Sequence, residues 1–225
     1  MEEQNKSSKA KKRIFIVDDH PIVRQGLTQL INQEPDLMTC GEAEDTPSAL
    51  RAIERLGPDL VIVDVSLKGR SGIELIKEIK LLGLGMPVVV LSMHRESLYA
   101  ERALRAGAKG YIMKQEASEK VIEAIRKVVA GKIYLSEKMS DMLLDRAFSS
   151  PSEMKGEPID VLSDRELEIF YLIGYGFKTK KIADKLNLSA KTVETYRGRI
   201  KEKLKLKDSE ELLQSAIQWA PREGE

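Results

Sequence analysis

Three carboxylates, one hydroxyl and one ammonium stand at the ends of four apolar runs. Ile14-Phe15-Ile16-Val17 ends in Asp18-Asp19, Leu60-Val61-Ile62-Val63 in Asp64, Val88-Val89-Val90-Leu91 in Ser92, and Gly110-Tyr111-Ile112-Met113 in Lys114. Short, largely β-branched runs bounded by turn residues read as strands buried on both faces of a parallel sheet. Ligands of open α/β sheets bind just beyond the carboxyl ends of the strands, so parallel alignment brings all of these groups to one edge. A lone aspartate in such a place is more often a turn former or helix cap; its company overturns that reading for Asp64. Adjacent carboxylates repel and raise one another's pKa unless a cation neutralises them. A hard divalent ion with oxygen ligands, Mg2+, is the economical answer. Phosphoryl transfer has a loose transition state with charge on equatorial oxygens, so an acceptor needs little beyond positioning, a metal and a cation. All three are on offer here.

The elements that must position these residues follow from periodicity. After a polar, basic arm over residues 1–12, expected to be disordered, the first strand begins at Arg13. Pro21 suits the first turn of a helix, which Ile22, Val23, Leu27, Leu30 and Ile31 continue until Pro35 stops it. A second strand is expected near Leu37 to Ala43, and helices over Thr46 to Leu56, Ile73 to Leu82 and Leu98 to Ala106. Val121, Ile122, Ile125, Val128 and Val129 mark a last helix. Five strands alternating with five helices predict an α/β domain over residues 13–131, a doubly wound five-stranded parallel sheet. Residues 132–158 read as a linker containing a connecting helix, because apolar spacing from Met139 to Phe148 gives way to Ser149-Ser150-Pro151-Ser152.

Residues 159–220 read as all-α with four helices. Ser163 followed by Glu166 is a capping-box signature, Leu167 to Ile173 continue that helix, and others are expected over Thr179 to Leu186, Ala190 to Leu204 and Ser209 to Trp219. The tight turn Asn187-Leu188-Ser189 between the middle pair spells helix-turn-helix. Charge separates this from an ordinary bundle. The chain carries a formal net charge of only +1, yet residues 178–207 hold eleven Lys or Arg against Asp184, Glu194 and Glu202, a net +8. A solvated face mixes its signs, whereas a concentrated excess on a helix-turn-helix is the footprint expected for phosphate backbones. No apolar run approaches the ~20 residues that cross a bilayer, so no membrane association and a cytoplasmic location are expected. The lone Cys40 forbids an internal disulfide and reads as a packing residue.

Asp18-Asp19, Asp64, Ser92, Tyr111 and Lys114, in this order at consecutive strand ends, resemble the receiver domain of bacterial two-component response regulators, a flavodoxin-like fold. The resemblance implies that Asp64 accepts a phosphoryl group from a sensor histidine kinase. Asp19, Asp64 and the backbone carbonyl of Ser66 would ligate Mg2+, Asp18 acting through water. Lys114 would pair with the phosphoryl oxygens, and Ser92 would move toward them and let Tyr111 rotate inward. Ser66 and His94, each two residues beyond a site residue, would flank the path of attacking water and set the phosphoryl lifetime. The protein would then be no enzyme, only an acceptor with slow autodephosphorylation. Gln115 stands where many receivers carry Pro.

The second half is similar to the LuxR-type helix-turn-helix of the NarL/FixJ branch, through Leu162-Ser163-x-Arg165-Glu166, Gly176, Lys180, Ile182-Ala183, Leu188-Ser189, Thr192-Val193 and Lys203-Leu204. It departs at Thr179, Lys181 and Glu194-Thr195-Tyr196. Phosphate contacts are expected from Lys180, Thr192, Tyr196, Arg197 and Lys201, base contacts from Glu194, Thr195 and Arg199, and a further DNA contact from Lys191. Leu212, Leu213, Ala216, Ile217 and Trp219 exceed what so small a domain can bury, which points to a homodimer formed on phosphorylation and reading an inverted repeat. Two other readings compete. A Mg2+-dependent phosphoaspartate enzyme also places Asp at a strand end, but such enzymes carry a second acid two residues on, where Ser66 stands. A phosphorylation-independent DNA-binding regulator would have no use for the complete acid set.

Overall fold

The computed structural model describes residues 10–67, 69–93, 96–148 and 158–219, which form two compact units. In the first, β1 (Lys12–Val17), β2 (Leu37–Ala43), β3 (Leu60–Asp64), β4 (Val88–Ser92) and β5 (Gly110–Met113) alternate with α1 (Pro21–Gln33), α2 (Thr46–Leu56), α3 (Gly72–Leu81), α4 (Glu96–Ala106) and α5 (Ala117–Val129). Every strand pairing is parallel and the spatial order is β2-β1-β3-β4-β5. The strand order reverses between β1 and β3, the place where doubly wound sheets bind ligands.

Burial explains why these runs are strands. All of Leu60–Asp64 and all of Val88–Ser92 are buried, and Ile14, Ile16, Ile62, Val89 and Leu91 share one core with Leu27 and Ile31 of α1 and Val121 and Ile125 of α5. Side chains alternate across a sheet, so a one-residue slip would move each apolar set to the opposite face and repack both layers, and register is therefore fixed. The register Val17↔Val63, Asp64↔Leu91 and Ser92↔Met113 leaves Asp18, Asp64, Ser92 and Lys114 in one row at the carboxyl ends.

Boundaries differ slightly from expectation, β1 starting at Lys12, α3 at Gly72 and α4 at Glu96. A single 3-10 turn, Lys114–Glu116, stands between β5 and α5. Beyond α5 the chain stays attached to the sheet: the Tyr111 amide donates to the Tyr134 carbonyl at 3.0 Å and the Tyr134 amide to the Lys109 carbonyl at 2.9 Å. The next helix, α6 (Glu137–Phe148), follows directly. Ser136 Oγ accepts from the Met139 amide at 3.1 Å, and the Ser136 amide donates to the Glu96 carboxylate of α4 at 2.9 Å. The arm residues 1–9 and linker residues 149–157 lie outside the described residues.

The second unit has a 3-10 turn, Pro158–Val161, then α7 (Asp164–Gly174), α8 (Thr179–Leu186), α9 (Ala190–Leu204) and α10 (Ser209–Trp219). Ser163 and Glu166 form the expected capping box at the start of α7. Phe170, Ile182, Val193, Ile200 and Leu212, one or more from each helix, are fully buried. No described helix is long and apolar enough to cross a membrane.

Candidate functional site

At the carboxyl edge of the sheet Lys114 joins two acids. Its Nζ lies 2.7 Å from Asp64 Oδ2 and 2.7 Å from Asp18 Oδ2, with all three side chains more than nine-tenths buried. Asp64 Oδ1 accepts from the Ser66 amide at 3.2 Å. Asp18 is held from behind, its Oδ1 accepting from the His20 amide at 2.9 Å and its carbonyl from Arg24 Nη1 at 2.7 Å.

Burial raises the Asp64 pKa from 3.8 to about 6, and the charge of Asp18 adds to the rise while Lys114 opposes it. Burial works to lower the Lys114 pKa, but the two acids outweigh it and the net shift is upward. A buried acid cluster held by one ammonium is short of positive charge, the condition in which a cation is bound.

The donor set fits a hard divalent ion. Ligand atoms of Asp18, Asp19, His20 and Asp64 lie within 4.8 Å of one another. Asp19 Oδ1 is buried with no hydrogen-bond donor in line, although His20 Nδ1 comes within 2.7 Å. Sequence reasoning missed His20, which looked like no more than the residue before Pro21.

It also missed Gly72. A Cβ there would fall 1.8 Å from the Asp64 carbonyl oxygen, so α3 can begin against the acceptor strand only through glycine. The Gly72 amide then closes the β3–α3 loop by donating to the Val65 carbonyl at 2.7 Å. A glycine eight residues after the acceptor, at the opening of a helix, was the available signal.

Ser92 is completely buried and Tyr111 is 2% exposed. Their hydroxyls are hydrogen-bonded, and burial drives the Tyr111 pKa upward despite that bond. In this structure the Tyr111 ring lies inward. His94 lies outside the described residues.

In the helical unit the turn between α8 and α9 is tightly built. Asn187 adopts the left-handed conformation that ends α8, the Leu188 amide reaches the Ala183 carbonyl at 2.9 Å, and Ser189 caps α9 by accepting from the Thr192 amide at 3.0 Å. Arg165 and Glu168 form a buried pair at 2.6 Å, and Arg165 Nη2 donates to the Leu186 carbonyl at 3.0 Å, fastening α7 to the end of α8.

With Val193 and Ile200 turned to the core, α9 exposes Lys191, Glu194, Thr195 and Arg199, while Thr192, Tyr196, Arg197 and Lys201 are half-buried; Lys180 of α8 is exposed. Several of these side chains are already engaged. Glu194 accepts from Thr179 Oγ1 at 2.6 Å and stands 3.7 Å from Arg197 Nε. Thr195 Oγ1 donates to the Lys191 carbonyl at 3.0 Å, and the Arg199 guanidinium lies 5.8 Å from the Tyr196 ring centre. On α10, Leu212 and Ala216 are buried, whereas Leu213 and Ile217 are 40% and 53% exposed.

Comparison with known proteins matches both units. Residues 14–126 fit the family model "Response regulator receiver domain", and residues 160–216 fit "Bacterial regulatory proteins, luxR family". The chain is 35% identical over 205 residues to the response regulator GacA of Pseudomonas aeruginosa, covering 91% of this chain and 95% of that one. It is also 35% identical over 209 residues to the oxygen regulatory protein NreC of Staphylococcus carnosus, covering 91% and 96%. Among solved structures, the RcsB response regulator of Salmonella typhimurium aligns at a TM-score of 0.64 with 26% identity, covering 95% of this chain and all of that one. RcsB in complex with DNA aligns at 0.55 with 28% identity, covering 92% and 98%.

Proposed function

The chain belongs to the NarL/FixJ response regulators, transcription regulators with a receiver domain followed by a LuxR-type DNA-binding domain, and from that premise we propose that phosphorylation of Asp64 by a sensor histidine kinase switches its binding to DNA. The observation that carries this reading is the Asp18–Lys114–Asp64 cluster, buried where the strand order reverses. An Asp64 oxygen attacks phosphorus as the P–N bond of the donor phosphohistidine breaks. Only the ionised carboxylate attacks, and Lys114 keeps it ionised near neutrality against the cost of burial.

Asp19, Asp64 and the Ser66 carbonyl would hold Mg2+, with Asp18 acting through water, and the ion would neutralise charge on the phosphoryl oxygens. His20 braces Asp18 through its backbone amide and sets its ring against Asp18 and Asp19. Lys114 takes one phosphoryl oxygen. The Ser92 hydroxyl, at present shared with Tyr111, takes another, which loosens the grip on the tyrosine ring. Ser66 and His94 tune the lifetime of the acyl phosphate.

In the second half, Lys180, Thr192, Tyr196, Arg197 and Lys201 hold phosphates, Thr195, Arg199 and Glu194 read base edges in the major groove, and Lys191 touches the duplex beside them. Leu213 and Ile217 on α10 pair with a second copy on phosphorylation, so the dimer reads an inverted repeat. The test is labelling of the full chain by acetyl phosphate with Mg2+, followed by selection from random duplexes. One hydroxylamine-sensitive phosphoryl group, absent in Asp64→Asn, and an enriched inverted repeat are expected. Equal labelling of Asp64→Asn overturns the acceptor, and an enriched direct repeat overturns the two-fold arrangement.

A further inference from the structure

Gly198 lies in the interior of α9, exposed, and a Cβ added there would meet no atom within 4 Å. Its backbone is helical rather than left-handed, so conformation does not call for glycine. Among the described residues nothing requires it, yet glycine is the poorest interior helix residue after proline. An open glycine by itself carries nothing; its place on the helix does.

At 3.6 residues per turn, Lys191 points within about 20° of Gly198, and Glu194, Thr195, Lys201 and Glu202 within about 60°. The buried Val193 and Ile200 point roughly 140–160° away. Gly198 is therefore at the centre of the outward face, with bare backbone at the line along which α9 would come closest to a duplex. Charged and polar side chains rise on either side of it.

We infer that Gly198 is a specificity-determining residue for DNA, a gap that lets the backbone of α9 seat directly on a base pair in the major groove so that Thr195, Glu194 and Lys191 reach neighbouring base edges. This rests on the DNA-binding reading above. Glycine serves elsewhere for close approach of backbone to a ligand. Here a methyl group would hold the helix off the groove floor and weaken every base interaction at once, leaving the grip on phosphates largely in place.

The test uses the full chain, the duplex enriched by the wild type from a random library, and a scrambled duplex. Gly26 of α1, also a helix-interior glycine with open space around it, supplies the control. Both Gly198→Ala and Gly26→Ala should raise the melting temperature by roughly a few degrees, since alanine favours the helix. Gly198→Ala should bind the enriched duplex ~10-fold or more weakly, the discrimination that one good hydrogen-bonded pairing with a base edge supplies, with scrambled-duplex binding at low salt unchanged. Gly26→Ala should bind both duplexes as the wild type does. Wild-type affinity and preference in Gly198→Ala would overturn the inference alone, as would an equal weakening on both duplexes. A wild type that enriches no sequence would overturn the DNA-binding reading and the inference with it.

Discussion

The acceptor cluster and the recognition helix place charge in opposite ways. Asp18, Asp64 and Lys114 are buried and touch one another, whereas the basic residues of α9 are exposed or half-buried and partly occupied by local partners such as Tyr196. Burying ionised groups costs several kcal/mol each unless geometry and partners offset it. Such a cluster is not maintained for packing, and its geometry alone points to chemistry. An exposed charged face costs almost nothing, and its role is set by whatever approaches it. The first region can be interpreted from within, and the second only through its ligand.

Removing the cation should have the largest effect. Lys114→Ala leaves Asp18 and Asp64 facing each other without their shared partner, so labelling of Asp64 by acetyl phosphate should slow by ~100-fold or more. A rate within a few-fold of wild type would place Lys114 among ordinary buried ion-pair residues and erase the contrast between the regions.

Next comes stability against pH. The folded-state pKa of Asp64 is raised to about 6, so the folded protein binds a proton there more tightly than the unfolded chain does. That stabilisation is complete below pH 3.8 and is lost as pH rises through about 6. At pH 8 the ionised carboxylate therefore burdens the fold, and Asp64→Asn should be more stable than wild type, with a ceiling of ~3 kcal/mol. The advantage should shrink toward pH 4 in denaturant titrations. A constant difference across pH would show that burial of the charge is not its cause.

The smallest effects are expected on α9, where they separate two roles for one residue. If Glu194 reads a base, Glu194→Ala relaxes preference at one position per half-site by ~1–3 kcal/mol while Thr179→Val does not. If Glu194 only ties α9 to α8 through Thr179, the two variants behave alike and site selection is unchanged in both. Lys201→Ala should weaken binding to all sequences alike and lower the salt slope by about 1. A sequence-dependent weakening would move Lys201 from phosphate to base recognition.

Periodicity located the strands well because Leu60–Asp64 and Val88–Ser92 are buried throughout, and a fully apolar run leaves few alternatives. The edge where the sheet's chemistry gathers was legible for the same reason, since strand ends in one row need only parallel pairing. Gly72 was not legible, because its necessity lies in a backbone approach of one element to another that no local pattern records. His20 was missed although its ring meets its own chain neighbours Asp18 and Asp19, because adjacency in sequence does not say which way a ring points. The inward position of Tyr111 was not legible either, because Gly110, Tyr111 and Ile112 are all buried and alternation along β5 singles out no face.

Tyr134 gives β5 a neighbour that is not part of the five-stranded sheet. A strand with open amides and carbonyls along its side is a template for another chain, and proteins cover such edges or suffer aggregation. The residues that lead out of the receiver therefore also act as its selvedge, finishing a border that would otherwise fray. A fragment cut after residue 131 would lose that cover and leave the Tyr111 amide and the Lys109 carbonyl without these partners. One extended through Ser136 would keep both the cover and the bond to Glu96. The stretch that leaves the receiver thus also closes the β5 border of its sheet.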